Sequence, residues 1–198
     1  MRFQAILFIL LLSIFSFTLQ SCEESYTPRP KAYPKVHYPE RRFVAMKNNL
    51  PYSFEYNSAA MIVPDTNFFG ERPENPYWIN VFYPELDAVI HISYKEINAG
   101  NTFNSLLEDA YMLSFKHTVK AEAIDKASLH PTPSIGGQLF KVSGDAASSY
   151  QFFLTDSSKH FIRGALYFNC EPNADSLAPV TQYIYEDLTK MLKTFRFK

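Results

Sequence analysis

The apolar residues of this chain recur with two different periods, and the order of those periods limits what it can fold into. Residues 88–95 alternate between apolar and polar side chains, which is typical of an antiparallel strand with one solvated face. Residues 103–111 and 177–195 instead repeat their apolar positions every three or four residues, as amphipathic helices do. The order of strands, helix, strands and helix predicts an α+β fold: an antiparallel β-sheet with two main helices packed on it.

Turn signals and helix caps set the predicted boundaries. Asn101 or Thr102 can cap the first helix, which should end near His117, and Asp175 or Ser176 opens the second. The second helix is expected to bury a stripe formed by Leu177, Val180, Ile184, Leu188, Met191, Leu192 and Phe195. Strands are predicted at 52–56, 59–63, 77–83, 88–95, 121–129, 138–143, 150–155 and 161–168.

Residues 1–21 predict a secretory signal peptide, because a positive start is followed by a largely apolar run. Leu19, Ser21 and Cys22 then match a bacterial lipobox, although Gln20 is bulkier than usual at its position. This pattern predicts cleavage before Cys22 and acylation of Cys22, with palmitate among the attached groups. Two alternatives remain open: an uncleaved membrane anchor, for which the run is short, and an ordinary signal peptide with a coincidental cysteine.

Residues 22–42 predict a proline-rich tether between the lipid and the folded part. They hold Pro28, Pro30, Pro34 and Pro39 and show little apolar periodicity. Several tyrosines in the same stretch leave open that part of it packs on the domain as an extended strap. Residues 43–198 are then predicted to form a single globular domain.

The composition gives no support to several classes of function. A formal net charge of −1 argues against nucleic-acid binding. The five histidines have no metal-ligand spacing, and no nucleophile motif or phosphate loop occurs, so we expect no metal, no cofactor and no enzyme activity. If Cys22 is acylated, Cys170 has no partner for an internal disulfide, and we expect it to be a small buried residue.

One weak constellation could form a binding site. In the predicted sheet, His91, Ser93, Lys141, Gln151 and Arg163 alternate out of phase with their apolar neighbours, so they could share one face. Of these, His91, Gln151 and Arg163 are candidates to bind an anionic or sugar ligand. The competing interpretation is that this face is simply the solvated side of the sheet.

Aromatic residues suggest a second kind of site. Trp78 lies in an aromatic-rich stretch, so it could anchor a protein interface if it is exposed. The alternative is that Trp78 belongs to an aromatic core. A concave pocket joining the three polar candidates would favour a ligand, and a flat aromatic patch around Trp78 would favour protein partners.

Several segments together resemble a known family. They are 50–56, 76–81, 90–95, 115–121, 151–157 and, most distinctively, 160–169 followed by 172–179. In this order and spacing they are similar to the gliding motility lipoprotein GldD family of Bacteroidota, over residues 28–198. Cys170 departs from the small or apolar residue expected there. More loosely, the order of elements and the closing Phe195 resemble the PsbP/Mog1 α/β sandwich.

The resemblance implies a cell-envelope lipoprotein required for surface gliding and linked to type IX secretion, and it carries over no catalytic residue. We therefore expect a non-enzymatic component or assembly factor, held to a membrane by the lipid on Cys22, with its domain facing the periplasm. Its expected partners are other proteins of the gliding and secretion machinery. The rival hypothesis is a periplasmic lipoprotein that binds a glycan or lipid. Whether the inner or the outer membrane carries the lipid stays open.

Overall fold

A computed structural model describes residues 35–66, 72–116 and 120–198. The predicted signal peptide and Cys22 lie outside the described residues, as do His117 and the stretch 67–71. Residues Tyr33–Lys198 form one compact unit. That unit includes the last part of the predicted tether.

The described residues form an α+β fold, as the sequence predicts, with two α-helices and a large antiparallel sheet. The helices are α1 (Phe103–Phe115) and α2 (Ala174–Thr194), and a short 3₁₀ turn spans Pro84–Leu86. The strands are β1 (Phe43–Ala45), β2 (Tyr52–Ser53), β3 (Glu55–Asn57), β4 (Met61–Pro64), β5 (Ile79–Tyr83), β6 (Ala88–Glu96), β7 (Ala121–Thr132), β8 (Ile135–Gly144), β9 (Tyr150–Thr155), β10 (His160–Phe168) and β11 (Arg196–Phe197).

The main sheet has seven strands in the order β4-β5-β6-β10-β9-β8-β7, and every neighbouring pair is antiparallel. Two small ribbons, β1-β3 and β11-β2, lie outside it. β7 continues past Pro131, where the sequence predicted a break. Since β7 is the edge strand of this sheet, a proline without an N–H is tolerated there, and the register shifts between Leu129 and Thr132.

The two helices pack on opposite sides of the sheet. Helix α2 and the ribbons cover one side, where Ile184, Leu188 and Leu192 belong to the larger core cluster. Helix α1 packs on the other side through Leu106 and Ala110, in a smaller cluster completed by Phe140, Phe153 and Phe161. Alternation along β6 follows from this layering, because its even-numbered residues from Ala88 to Tyr94 face the α2 side and are buried.

Side-chain caps fix where each helix begins. The Oγ1 atom of Thr102 accepts a hydrogen bond from the Ser105 backbone N–H at 3.2 Å, at a cap position that the sequence predicts. The second helix begins earlier than predicted. Asn173, rather than Asp175 or Ser176, is its cap, and its Oδ1 accepts from the Ser176 N–H at 2.9 Å.

The last residues before β1 form a strap against α2, which we call the clasp. Arg41 donates to the buried Asp187 carboxylate at 3.0 Å and to the Tyr183 backbone carbonyl at 3.0 Å. Tyr38 stacks on the Tyr183 ring, whose hydroxyl donates to the Pro39 carbonyl at 2.8 Å. These contacts belong to the fold, so the tether is not uniformly free chain.

Asp187 depends on the clasp because it is a buried carboxyl group on α2. Burial raises its pKa above the usual range, and hydrogen bonds from Asn57 and Arg41 act in the opposite direction. The Asn57 side-chain amide donates to Asp187 at 2.9 Å. Asp187 was not predicted to belong to the buried stripe, because a carboxylate is usually solvated.

We expect Leu188→Ala to lower the free energy of unfolding by about 2–5 kcal/mol, because Leu188 is 1% exposed and its truncation leaves a cavity. Urea unfolding followed by circular dichroism measures this change. As a control, the exposed Lys193→Ala on the same helix should change stability by less than about 0.5 kcal/mol. Equal effects of the two substitutions would contradict the assigned face.

We expect Arg41→Ala to lower the free energy of unfolding by about 1–3 kcal/mol, because it leaves the buried Asp187 carboxylate with fewer donors. The matched control is Arg42→Ala. Arg42 pairs only with Glu40 in the described residues, and both side chains are largely exposed, so its loss should cost less than about 0.5 kcal/mol. A clasp that contributes nothing would give the same urea midpoint for both variants.

Candidate functional site

The polar candidates lie on the α1 side of the main sheet. Antiparallel partners share a face, and the register pairs Arg163 with Ser93, and Ala165 with both His91 and Gln151. His91, Ser93, Gln151 and Arg163 are therefore on one side. Lys141 is not. It pairs with Tyr150 on the opposite side, because the β8–β9 register places its neighbour Phe140 opposite Gln151.

This side of the sheet is not uniformly solvated, because α1 covers the half that holds β9 and β10. Leu106 and Ala110 pack there against Phe153 and Phe161. Gln151 consequently has an exposed fraction of 0%. The interpretation of the whole face as a solvated surface is therefore wrong for this half, and the polar groups beneath α1 must find partners within the protein.

Gln151 and Arg163 form a short polar chain under the helix. The Arg163 guanidinium donates through Nη2 to the Gln151 Oε1 atom, and the Ser114 hydroxyl lies 3.4 Å from the same oxygen. Gln151 Nε2 and Arg163 Nε are buried and have no hydrogen-bond acceptor among the described residues. Burial lowers the pKa of Arg163 from its usual value, while Tyr167 acts in the opposite direction. Arginine nevertheless stays charged at any physiological pH.

A cleft of about 200 Å³ opens at the border between α1 and the sheet. Arg163 and Ser93 contribute from the sheet, and α1 supplies one wall. The residues lining it are mostly apolar: Trp78, Ser93, Lys95, Leu106, Asp109, Ala110, Leu113, Phe161 and Arg163. This arrangement brings two cationic residues, Lys95 and Arg163, to a mostly apolar cleft.

His91 belongs to a different environment on the same side. Its Nδ1 atom lies 2.6 Å from the Asn80 Oδ1 atom, and its ring meets the Tyr167 ring edge-on at 5.6 Å. Burial lowers the pKa of His91 from its usual 6.5, and Asp65 opposes that change. Neither His91 nor Gln151 lines the cleft, so the described cleft does not join the three residues that the sequence proposed as one site.

Trp78 and Cys170 are placed differently from the expectations for an interface anchor and a buried thiol. Trp78 is only 8% exposed, and its indole N–H donates to the Tyr94 carbonyl at 2.8 Å. It therefore belongs to the core, as the competing interpretation held. Cys170 is exposed, because β10 ends at Phe168 and the cysteine follows in a loop.

Beyond α1, the same side of the sheet presents an apolar surface, which we call the open face: Met61, Val63, Phe82, Val89 and Tyr167. Met61, Phe82, Val89 and Tyr167 pair in a row across four strands. Met61 is 55% exposed, and none of the five belongs to either core cluster. This surface was not predicted from the sequence. Phe82 lies in the predicted strand 77–83, whose residues are nearly all apolar, so both faces of that strand look buried.

The described residues contain no group of three or more histidine, cysteine, aspartate or glutamate side chains arranged to hold a metal ion. No helix within the described ranges is both long enough and apolar enough to cross a membrane.

A family model described as "Gliding motility lipoprotein GldD" matches residues 23–197, which is most of the chain. A search among curated proteins found no match.

Titration of His91 tests its placement. Because the pKa of His91 is lowered in the folded chain, the unfolded chain binds a proton more readily. His91 therefore contributes stability above pH 6.5 that is lost as the pH falls from 6.5 towards its folded pKa. We expect His91→Gln to flatten the pH dependence of the free energy of unfolding in that window. An NMR titration that gave the His91 ring a pKa of 6.5 or above would contradict this.

Proposed function

The chain belongs to the gliding motility lipoprotein GldD family, and we propose that it acts as a non-enzymatic component or assembly factor of the gliding machinery and the linked type IX secretion system. As a lipoprotein of this family it is associated with a membrane of the cell envelope. The family match carries this proposal, because it covers nearly the whole chain rather than one motif.

The proposed anchor is a lipid on Cys22, with palmitate among its acyl groups, after removal of residues 1–21 as a signal peptide. The family match supports this, because it begins at residue 23, immediately after the proposed lipidated cysteine. In this arrangement the domain faces the periplasm. Loss of the thiol in Cys22→Ala would leave the protein without its anchor.

The proposed act is binding to another protein rather than catalysis, and the surface chemistry supports it. An apolar patch on a sheet edge and face is suited to a protein contact, because burying it removes hydrocarbon from water. The open face supplies such a patch, including the exposed Met61 and Val63 on β4. By contrast, His91 nearby already has a partner within the protein, since its Nδ1 atom lies 2.6 Å from the Asn80 Oδ1 atom.

Introducing a charge into the open face tests the proposal in cells. We expect deletion of the gene to abolish spreading on agar and to reduce export of type IX cargo. A copy carrying Met61→Lys should restore spreading less well than the unchanged copy, because it places a charge in the interface. The matched control is Met112→Lys, since Met112 is 52% exposed but lies on α1. This control should restore both phenotypes.

Protein levels and membrane fractionation must be equal among these strains, so that the comparison reports binding rather than folding. Crosslinking in cells should lose a partner for Met61→Lys and keep it for Met112→Lys. The non-enzymatic proposal fails if a folded, membrane-bound His91→Gln or Cys170→Ser protein gives the full deletion phenotype, because losing one catalytic group typically costs about 10²–10⁴-fold, and neither residue is of the Trp, Tyr or Arg type that dominates protein interfaces.

A further inference from the structure

We propose that the cleft between α1 and the sheet binds a small organic carboxylate with an apolar body, and that Arg163 receives the carboxylate. This binding activity goes beyond the proposed role in gliding and does not depend on it. The first observation is the position of Arg163, which is one of the residues lining a mostly apolar cleft of about 200 Å³.

The second observation is that Arg163 has no carboxylate partner among the described residues. In the described residues, carboxylates form ion pairs with Arg41, Arg42, Lys95 and Lys190. Arg163 forms no such pair there. Its side-chain partner is the neutral Gln151 amide, and its Nε–H has no acceptor in the described part of the chain. A largely buried cation without a counterion is costly, so an anion that enters the cleft restores a favourable interaction.

The geometry of the cleft selects the chemical class of the ligand. A guanidinium group carries a permanent positive charge and five N–H donors, and since Nη2 already donates to Gln151, the remaining donors are the ones available to a carboxylate. Trp78, Leu106 and Leu113 line the rest of the space, so the body attached to that carboxylate should be apolar. The limited volume restricts the body to about the size of a single aromatic ring.

Two further charged residues lie at the cleft and influence how tightly a carboxylate should bind there. Lys95 is already paired with Glu74 at 3.1 Å, so it adds little free positive charge. Asp109 on α1 is exposed and contributes an opposing negative charge. Removing that charge should strengthen the binding of an anion.

The test uses 4-fluorophenylacetate as the anionic probe and 4-fluorophenylacetamide as its uncharged counterpart. Fluorine NMR line broadening would be measured with the full chain in lipid nanodiscs, and empty nanodiscs would serve as the blank. We expect the carboxylate to bind in the range of about 1–10 mM, as suits a fragment of this size, and at least tenfold more tightly than the amide.

Variants locate the site. Arg163→Met should weaken carboxylate binding at least tenfold, because it removes the charged donors. Leu113→Trp should abolish binding by filling the cleft while leaving Arg163 in place. Asp109→Asn should tighten binding about two- to threefold, whereas the control Asp125→Asn, on exposed edge strand β7, should leave it unchanged.

These outcomes decide the proposal even if Arg163→Met fails to fold, because Leu113→Trp and Asp109→Asn test the same site without removing the arginine. Equal binding of the amide and the carboxylate would overturn it, and so would no broadening at about 10 mM probe. Full restoration of gliding by these variants would leave the binding result intact, so the two proposals fail separately.

Discussion

Helix α1 covers only part of its side of the main sheet, and both candidate surfaces depend on that partial cover. Its buried residues Leu106 and Ala110 pack against Phe140, Phe153 and Phe161 on β8, β9 and β10. Helix α2 has 21 residues against the 13 of α1, and the ribbons lie on the same side of the sheet as α2. One side of the sheet is therefore covered much more completely than the other.

Because α1 covers only part of the sheet, Arg163 lies at the edge of the helix, largely buried and without a full set of hydrogen-bond partners. Leu106 and Ala110 remove water from β9 and β10, so Gln151 and Arg163 lose hydration without gaining a full set of partners. A fully apolar pair at these positions would avoid the cost. An incompletely satisfied polar pair beside a cleft is the kind of local conflict that is found at functional sites, and it is the physical basis for placing a ligand there.

Local sequence patterns could predict the elements but not the partners that the elements meet. Alternation along β6 identified which residues share a face, and Thr102 marked the start of α1. Neither pattern states which half of that face a helix will cover, so Gln151 could not be recognised as buried. Lys141 was misplaced because a shift of one residue in register reverses the face. The clasp was also hidden, since Arg41 and Asp187 are 146 residues apart.

The cleft and the open face are neighbours, which has a thermodynamic consequence if both bind. Trp78, which immediately precedes β5, and Ser93 on β6 line the cleft, and the two strands carry Asn80, Phe82, His91 and Val89. Phe82, which pairs with Met61, is therefore only four residues from Trp78, about 13 Å in extended chain. A protein seated on the open face would reach the mouth of the cleft. Any change that it makes in carboxylate affinity must be matched by an equal change in its own affinity when the carboxylate is bound, because coupling between two binding sites is reciprocal.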